Sequence, residues 1–216
     1  MQLNSWEESY KEMQNIWGIE EEDLLRIYEP IIKNGKVLDL GIGEGRNSLK
    51  FALKECEITG VDISQTALER CHDLFSKTPC AFKLFNEKIP SFKIEKETYT
   101  LIISSWALNF MKKSQAKKVI ENALEGLVSG GIFYMGVFST EDPQYKKLAK
   151  TCSEVERDSF FIKERKAIKT FFTMEDLLDL FDKRYEIICK KQDLSLDIGH
   201  GQEHYHGAIE LLIRKK

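Results

Sequence analysis

Residues 37–52 read VLDLGIGEGRNSLKFA: an apolar run closes on the acid Asp39, Gly41, Gly43 and Gly45 follow at alternate positions, and a helical pattern begins. Few stretches narrow the possible folds as much. A strand that hands over to a helix through bare backbone is a ligand-binding turn of a parallel α/β sheet. Glycines there allow positive φ and close approach of the backbone to a ligand, and the helix start behind them presents unpaired N–H groups.

The rest of the chain repeats that alternation. EEEDLLRIYEPIIKNG reads as a helix with Leu24, Leu25, Tyr28, Ile31 and Ile32 on one stripe, ended by Gly35. KVLDL, EITGVD, AFKLFN, TYTLIIS and IFYMGVFS read as five strands, with RNSLKFALKE, SQTALERCHDLFSK and SQAKKVIENALEGLVSGG as the helices between them. Ser64 is placed to cap the second of these. The spacing gives parallel strands with helices on both faces. TMEDLLDLFDK is a short helix capped by Thr173, and YEIICKKQDLSL and GAIELLIRKK are two closing strands, joined too closely to be parallel. The expected fold is α/β: a doubly wound, mostly parallel seven-stranded sheet with an antiparallel C-terminal strand. One domain spans 1–216, with 1–34 as a helical cap and 140–172 as a helical insertion over the site.

Composition excludes several classes. The 216 residues are 42% hydrophobic and 31% charged, with a net charge of −3 spread along the chain, which argues against a non-specific nucleic-acid surface. MQLNSWEESYKEMQNIW lacks the basic and apolar regions of a signal peptide. LIISSWALNFM is too short to span a bilayer, so the expected location is cytoplasmic. The cysteines Cys56, Cys71, Cys80, Cys152 and Cys189 form no CxxC and no metal-ligand spacing, so they read as free thiols in a reducing cell.

The glycine loop departs from a dinucleotide fingerprint, because its third glycine comes one residue early and Arg46 stands in that place. No GK[ST] follows, so it is not a P-loop. Asp39 would repel a pyrophosphate and attract a cationic amine. Asp62 closes the second strand, 21 residues after Gly41, where an acid suits a ribose diol. A ribose joined to a positively charged, amino-acid-like group is S-adenosylmethionine.

VLDLGIGEG followed by ITGVDIS resembles the first motif and acidic loop of the class I S-adenosylmethionine-dependent methyltransferases, over roughly residues 30–216. Ile42 stands where many members have Cys. The resemblance implies that Gly41, Gly43 and Gly45 pass under the methionine part, with Asp39 near its amino group, Asp62 on the ribose and Ile63 on the adenine. Asn86 matches the position from which many members reach the adenine amino group, though it also suits a plain turn. Arg46, Asn47 and Ser104 complete the expected cofactor set, with Trp17 either a lid over the sulfonium or packing for the N-terminal helix.

GEGRNSL, NIWG, FST after the fifth strand and histidines near the C-terminus are similar to the small bacterial methyltransferases of the tellurite-resistance and thiol group. SSWALNF after the fourth strand lacks the Asn/Asp-Pro-Pro-Tyr of amino-methylating enzymes, and Cys80 lies in the wrong place for cytosine-C5 chemistry. The expected partner is therefore a small-molecule acceptor, with neither nucleic acid nor membrane, in a monomer or homodimer. Ser105, Trp106, Asn109 and Phe110 are its expected wall, although Trp106 also fits a core aromatic.

His200, His204 and His206 lie in GHGQEHYHG, near the acceptor by topology. His204 and His206 are the candidate bases, His200 a candidate substrate contact; a polar hairpin tip or a metal ligand set is the alternative, and no cysteine lies close enough to complete a zinc site. A thiol or chalcogen oxyanion acceptor needs no strong base, whereas a hydroxyl does. Competing readings are an O- or N-methyltransferase of secondary metabolism, a non-catalytic S-adenosylmethionine-binding protein, and a nicotinamide oxidoreductase, which Asp39 and Arg46 disfavour.

Overall fold

The computed structural model describes residues 6–197 and 204–216. Helices α1 (Trp6–Glu12) and α2 (Asp23–Tyr28) precede β1 (Lys36–Leu40), α3 (Leu49–Leu53), β2 (Glu57–Asp62), α4 (Gln65–Phe75), β3 (Phe82–Asn86) and β4 (Tyr99–Ser105). Then come α5 (Lys113–Gly126), β5 (Leu127–Phe138), α6 (Pro143–Thr151), β6 (Ser153–Glu156), β7 (Ser159–Ile162), β8 (Ala167–Thr170), α7 (Met174–Leu178), β9 (Tyr185–Asp197) and β10 (His204–Lys215).

Seven strands form one sheet in the order β3-β2-β1-β4-β5-β10-β9. β10 runs antiparallel to both its neighbours, while β3, β2, β1, β4 and β5 pair in parallel, so the expected fold class holds. Side chains alternate between faces. Leu38, Leu40, Ile102, Phe133 and Met135 pack under α5 with Val119, Ile120 and Leu124. Val37, Ile58, Leu101, Ile103 and Tyr134 pack on the other face with Leu25, Phe51, Leu68 and Phe75. Each such side chain contributes about 1.5–3 kcal/mol by leaving water.

Two expectations are corrected. The segment 140–172 is not a helical insertion: after α6 it forms a separate antiparallel sheet, β6-β7-β8. α5 also ends at Gly126, so the LVSGG expected to finish it belongs to the strand, where Gly130 sits at φ 78°. The insertion is fastened to the main sheet through Lys113, a buried cation at the start of α5. Its Nζ pairs with Asp158 Oδ2 at 2.7 Å and Asp176 Oδ2 at 2.8 Å.

The five cysteines are free, and no helix among the described residues is long and apolar enough to cross a membrane.

Candidate active site

The turn after β1 is locked by its own backbone. Gly41 N–H and Ile42 N–H both donate to Val61 O, at 2.8 and 3.1 Å, which holds the loop against the end of β2. Gly41 (φ 85°) and Gly45 (φ 92°) adopt left-handed backbone. A Cβ at Gly41 would lie 2.5 Å from Ala107 Cβ, and one at Gly45 would lie 2.9 Å from Cys71 Sγ. Glycine is required there by conformation and by the close packing of the loop on α4 and on the turn after β4.

Asp39 is 1% exposed and accepts from Ser48 Oγ at 2.7 Å. Burial pushes its carboxyl up to about 7; the Ser48 hydrogen bond and the nearby Arg46 charge pull the other way. Asp62 receives Gly43 N–H on Oδ2 and Ser64 N–H on Oδ1, each at 2.9 Å. Burial raises its pKa, and these N–H bonds oppose that. Ser64, not Asp62, caps α4, accepting from Ala67 N–H at 3.1 Å.

The N-terminal segment lies across this loop. Glu7 accepts from Ser64 Oγ (2.8 Å), Thr66 Oγ1 (2.7 Å) and Thr66 N–H (3.1 Å), and the Thr66 side-chain bond leads in holding its carboxyl down near 2. Glu44 accepts Asn15 N–H at 2.6 Å and Arg70 Nη1 at 2.9 Å. Trp6 packs 5.9 Å from Trp17 and edge-on to Phe110 at 4.7 Å. Between segment and loop lies a cavity of about 190 Å³, lined by Tyr10, Trp17, Gly41, Gly43, Arg46 and Ser105 among others. A more open depression of about 280 Å³ lies elsewhere, along α4 and β3, away from the glycine loop.

Glu22 joins the loop to the wall opposite. Its Oε1 accepts from Ser105 Oγ (2.7 Å) and Trp106 Nε1 (2.8 Å) and pairs with Arg46 Nη2. Arg46 Nη1 also reaches Glu20 O at 2.6 Å, and Glu22 N–H donates to Asn47 Oδ1 at 3.0 Å. Nothing in the sequence singled out Glu22, since an EEE run normally marks a solvated face.

Trp106 sits at φ 58°, a strained value for a tryptophan, with its N–H on Gly136 O at 2.9 Å. Its ring stacks on Phe138 at 5.4 Å. Phe138 is flanked in turn by Phe110 at 6.5 Å and His206 at 4.8 Å. His206 Nδ1 lies 3.0 Å from Asp142 Oδ2.

The structure therefore gathers Trp17, Gly41, Gly43, Arg46, Asn47 and Ser105 around one cavity. Asp39, Gly45, Asp62 and Ile63 stand in or beside the same turns, Ile63 with half its surface exposed. Ser104 is fully buried on β4, its Oγ without a hydrogen-bond partner. Trp106 and Phe110 meet at Phe138 beyond Ser105. One residue departs from expectation. Asn109 is fully buried and donates to Thr170 O at 2.7 Å, so it holds the insertion rather than forming an acceptor wall. Asn86 donates its amide N–H to Ile63 O at 2.9 Å and lines the other depression. His204 takes part through its backbone in β10, opposite Asp197. His200 lies outside the described residues. Among the described residues no group of three or more His, Cys, Asp or Glu is placed to hold a metal ion.

Residues 37–131 match the family model of a methyltransferase domain. A carboxy-S-adenosyl-L-methionine synthase of Shewanella pealeana is 28% identical over 110 residues, covering 47% of this chain and 44% of that protein. A probable S-adenosyl-L-methionine-dependent methyltransferase, TehB of Haemophilus influenzae, is 29% identical over 113 residues, covering 52% of this chain and 39% of the other. The matches thus span less than half the length of these curated relatives. The fold is shared more widely. A methyltransferase structure from Methanosarcina mazei superposes with a TM-score of 0.70 at 20% identity, covering 91% of this chain and 98% of that one. The Haemophilus influenzae TehB structure gives 0.67 at 21% identity, covering 90% and 62%.

Proposed function

We propose that this chain, whose residues 37–131 match a methyltransferase-domain model, transfers a methyl group from S-adenosylmethionine to a small-molecule acceptor. Our reading of the acceptor is a thiol or a chalcogen oxyanion. The observation that carries the proposal is the placing of the two acids in the turns that flank the glycine loop, whose Gly41 and Gly43 line the cavity. Asp39 stands buried beside the glycine turn, and Asp62 is held by Gly43 N–H and Ser64 N–H.

These residues fit the cofactor. The glycine turn leaves backbone without side chains at the cavity, Asp39 offers negative charge for an amine once ionised, and Asp62 offers two oxygens for a diol. When bound, the cofactor supplies a methyl carbon activated by its sulfonium for in-line displacement.

The protein's part is alignment and shielding. The glycine turn and Asp62 fix one end of the cleft. Glu22 fixes Ser105 and Trp106 across from it, and Trp6, Trp17 and Phe110 wall off water. Orientation of this kind supplies roughly 7–11 kcal/mol of a barrier. A thiolate or oxyanion nucleophile asks for no proton removal in the transition state, whereas a hydroxyl would call on His206, oriented through Nδ1 by Asp142.

The direct test is release of S-adenosylhomocysteine from S-adenosylmethionine over a panel of thiols, chalcogen oxyanions and phenols. Turnover with the first two classes supports the reading. Turnover confined to phenols moves the acceptor to oxygen. Tight cofactor binding with no turnover over the whole panel makes the chain a binding protein.

A further inference from the structure

Gly43 is left bare for a side chain as well as for a ligand. A Cβ there would lie 2.7 Å from Tyr10 Oη and 3.6 Å from Tyr10 Cζ. Tyr10, on α1, went unmarked in the sequence, and the chemistry above does not use it. It is 5% exposed and lines the cavity together with Gly43. Its ring packs with Trp6, Ile16 and Ala67, and Glu7, one turn earlier, anchors α1 through Ser64 and Thr66. The hydroxyl is therefore held in place over the glycine. Its one hydrogen-bond partner among the described residues is the Trp17 indole N–H. An indole only donates, so the phenol's own proton has no acceptor among those residues. Burial, followed by the charges of Asp62 and Glu44, pushes the phenol above its ordinary pKa, so it stays a donor.

A donor withdrawn from water without an acceptor is costly to keep. Asp62 offers the complementary half. It contributes the largest of the charges that act on the Tyr10 phenol, and its Oδ2 is tied to Gly43 N–H at 2.9 Å. Its described hydrogen bonds come from backbone N–H groups, not from Tyr10. The carboxylate accepts and the phenol is left to donate, so a group between them must accept on one side and donate on the other. A hydroxyl does both, whereas an ammonium cannot accept and an ether oxygen cannot donate. We propose that Tyr10 is a ribose-recognition residue: its O–H donates to one hydroxyl of the cofactor's ribose, which donates in turn to Asp62. Trp17 N–H, Tyr10 O–H, the ribose hydroxyl and the Asp62 carboxylate then form one chain in which each bond strengthens the next. This rests on the methyltransferase reading, which supplies the ribose.

The probes are S-adenosylhomocysteine and its 2′-deoxy and 3′-deoxy forms, titrated calorimetrically into the wild-type protein and Tyr10→Phe. Wild type should bind the parent about tenfold tighter than at least one of the deoxy forms. Tyr10→Phe should bind the parent about fivefold to tenfold more weakly, yet bind that deoxy form about as well as wild type does. Loss of the hydroxyl on either side then costs the same bond only once. An equal loss on parent and deoxy forms would mean that Tyr10 merely holds α1 in place, and overturns the contact. So does an unchanged affinity for the parent, or a wild type that does not distinguish the three probes. Should Tyr10→Phe not fold, 3-fluorotyrosine at position 10 decides, because it is a stronger donor of nearly the same size. It should tighten the parent by about twofold and leave that deoxy form unchanged; no difference between the two overturns the contact. Binding of S-adenosylhomocysteine without this coupling removes the role of Tyr10 and leaves the methyltransferase reading. Failure of wild type to bind any of the three overturns both.

Discussion

Glu22 Oε1 accepts the indole N–H of Trp106 at 2.8 Å, joining the segment before α2 to the residue that follows β4. The same oxygen takes Ser105 Oγ and Arg46 Nη2, so one carboxylate spans both sides of the cleft. Removing it in Glu22→Ala leaves those donors without an acceptor. Hydrogen bonds to charged groups contribute about 1.5–3 kcal/mol each, and solvent re-entry recovers part. A loss of about 2–3 kcal/mol is expected by chemical denaturation, with a red shift in tryptophan emission. Glu22→Gln, which keeps an acceptor, should lose less.

If Asp39 faces the cofactor's amine as proposed, cofactor affinity should depend on pH. Its folded pKa of about 7 lies above the ordinary 3.8, so the empty protein favours the protonated carboxyl. That contribution to stability is complete below pH 3.8 and is lost as pH rises through about 7. A bound ammonium favours the ionised form, so binding below pH 7 must release a proton. Affinity for S-adenosylhomocysteine should therefore rise about tenfold from pH 6 to pH 8. The rise should flatten in Asp39→Asn, and titrations in buffers of different ionisation enthalpy should show the released proton.

Gly45→Ala and Gly18→Ala separate conformation from packing. Gly18 also has positive φ, at 81°, but a Cβ there meets nothing within 4 Å, so the cost is the backbone alone, about 1–2 kcal/mol. At Gly45 the clash with Cys71 and Phe75 is added, for a total of about 2–5 kcal/mol. Paired denaturant melts decide. Equal losses would mean that the loop yields and that the α4 contact is slack.

The first half of the sheet was legible because its strands are uniform apolar runs bounded by glycines and caps, and because Asp39 and Asp62 mark the ends of β1 and β2. The insertion was not. SEVE, SFFI and AIKT are strands of four residues each, too short for a period of two to be told from a helix, and they pair only through turns at Asp158 and Lys166, both at positive φ. Glu22 and Tyr10 escaped for a related reason. Which member of an acidic run turns inward, and which aromatic reaches the glycine turn, depends on contacts between segments far apart in the chain. Asn109 misled because its place after β4 suggested the cleft, while packing against β8 claimed its amide.

Lys113 tests how the insertion is held. Lys113→Met leaves Asp158 and Asp176 facing each other without their shared cation. Breaking a buried pair by removing one partner costs about 3–5 kcal/mol. The loss should appear as a lowered denaturant midpoint and earlier proteolysis within 140–172. Replacing Lys96, whose partner Glu125 lies at the surface, should change little.

Asp62 and the glycine turn are expected to hold S-adenosylmethionine together. The measurement that tests this most directly is calorimetric titration of wild type and Asp62→Ala with S-adenosylhomocysteine, with NAD as control. The expected result is micromolar binding of S-adenosylhomocysteine to wild type, none of NAD, and at least a tenfold loss in Asp62→Ala with the fold intact. Binding of NAD in its place, or an Asp62→Ala variant of undiminished affinity, would contradict it.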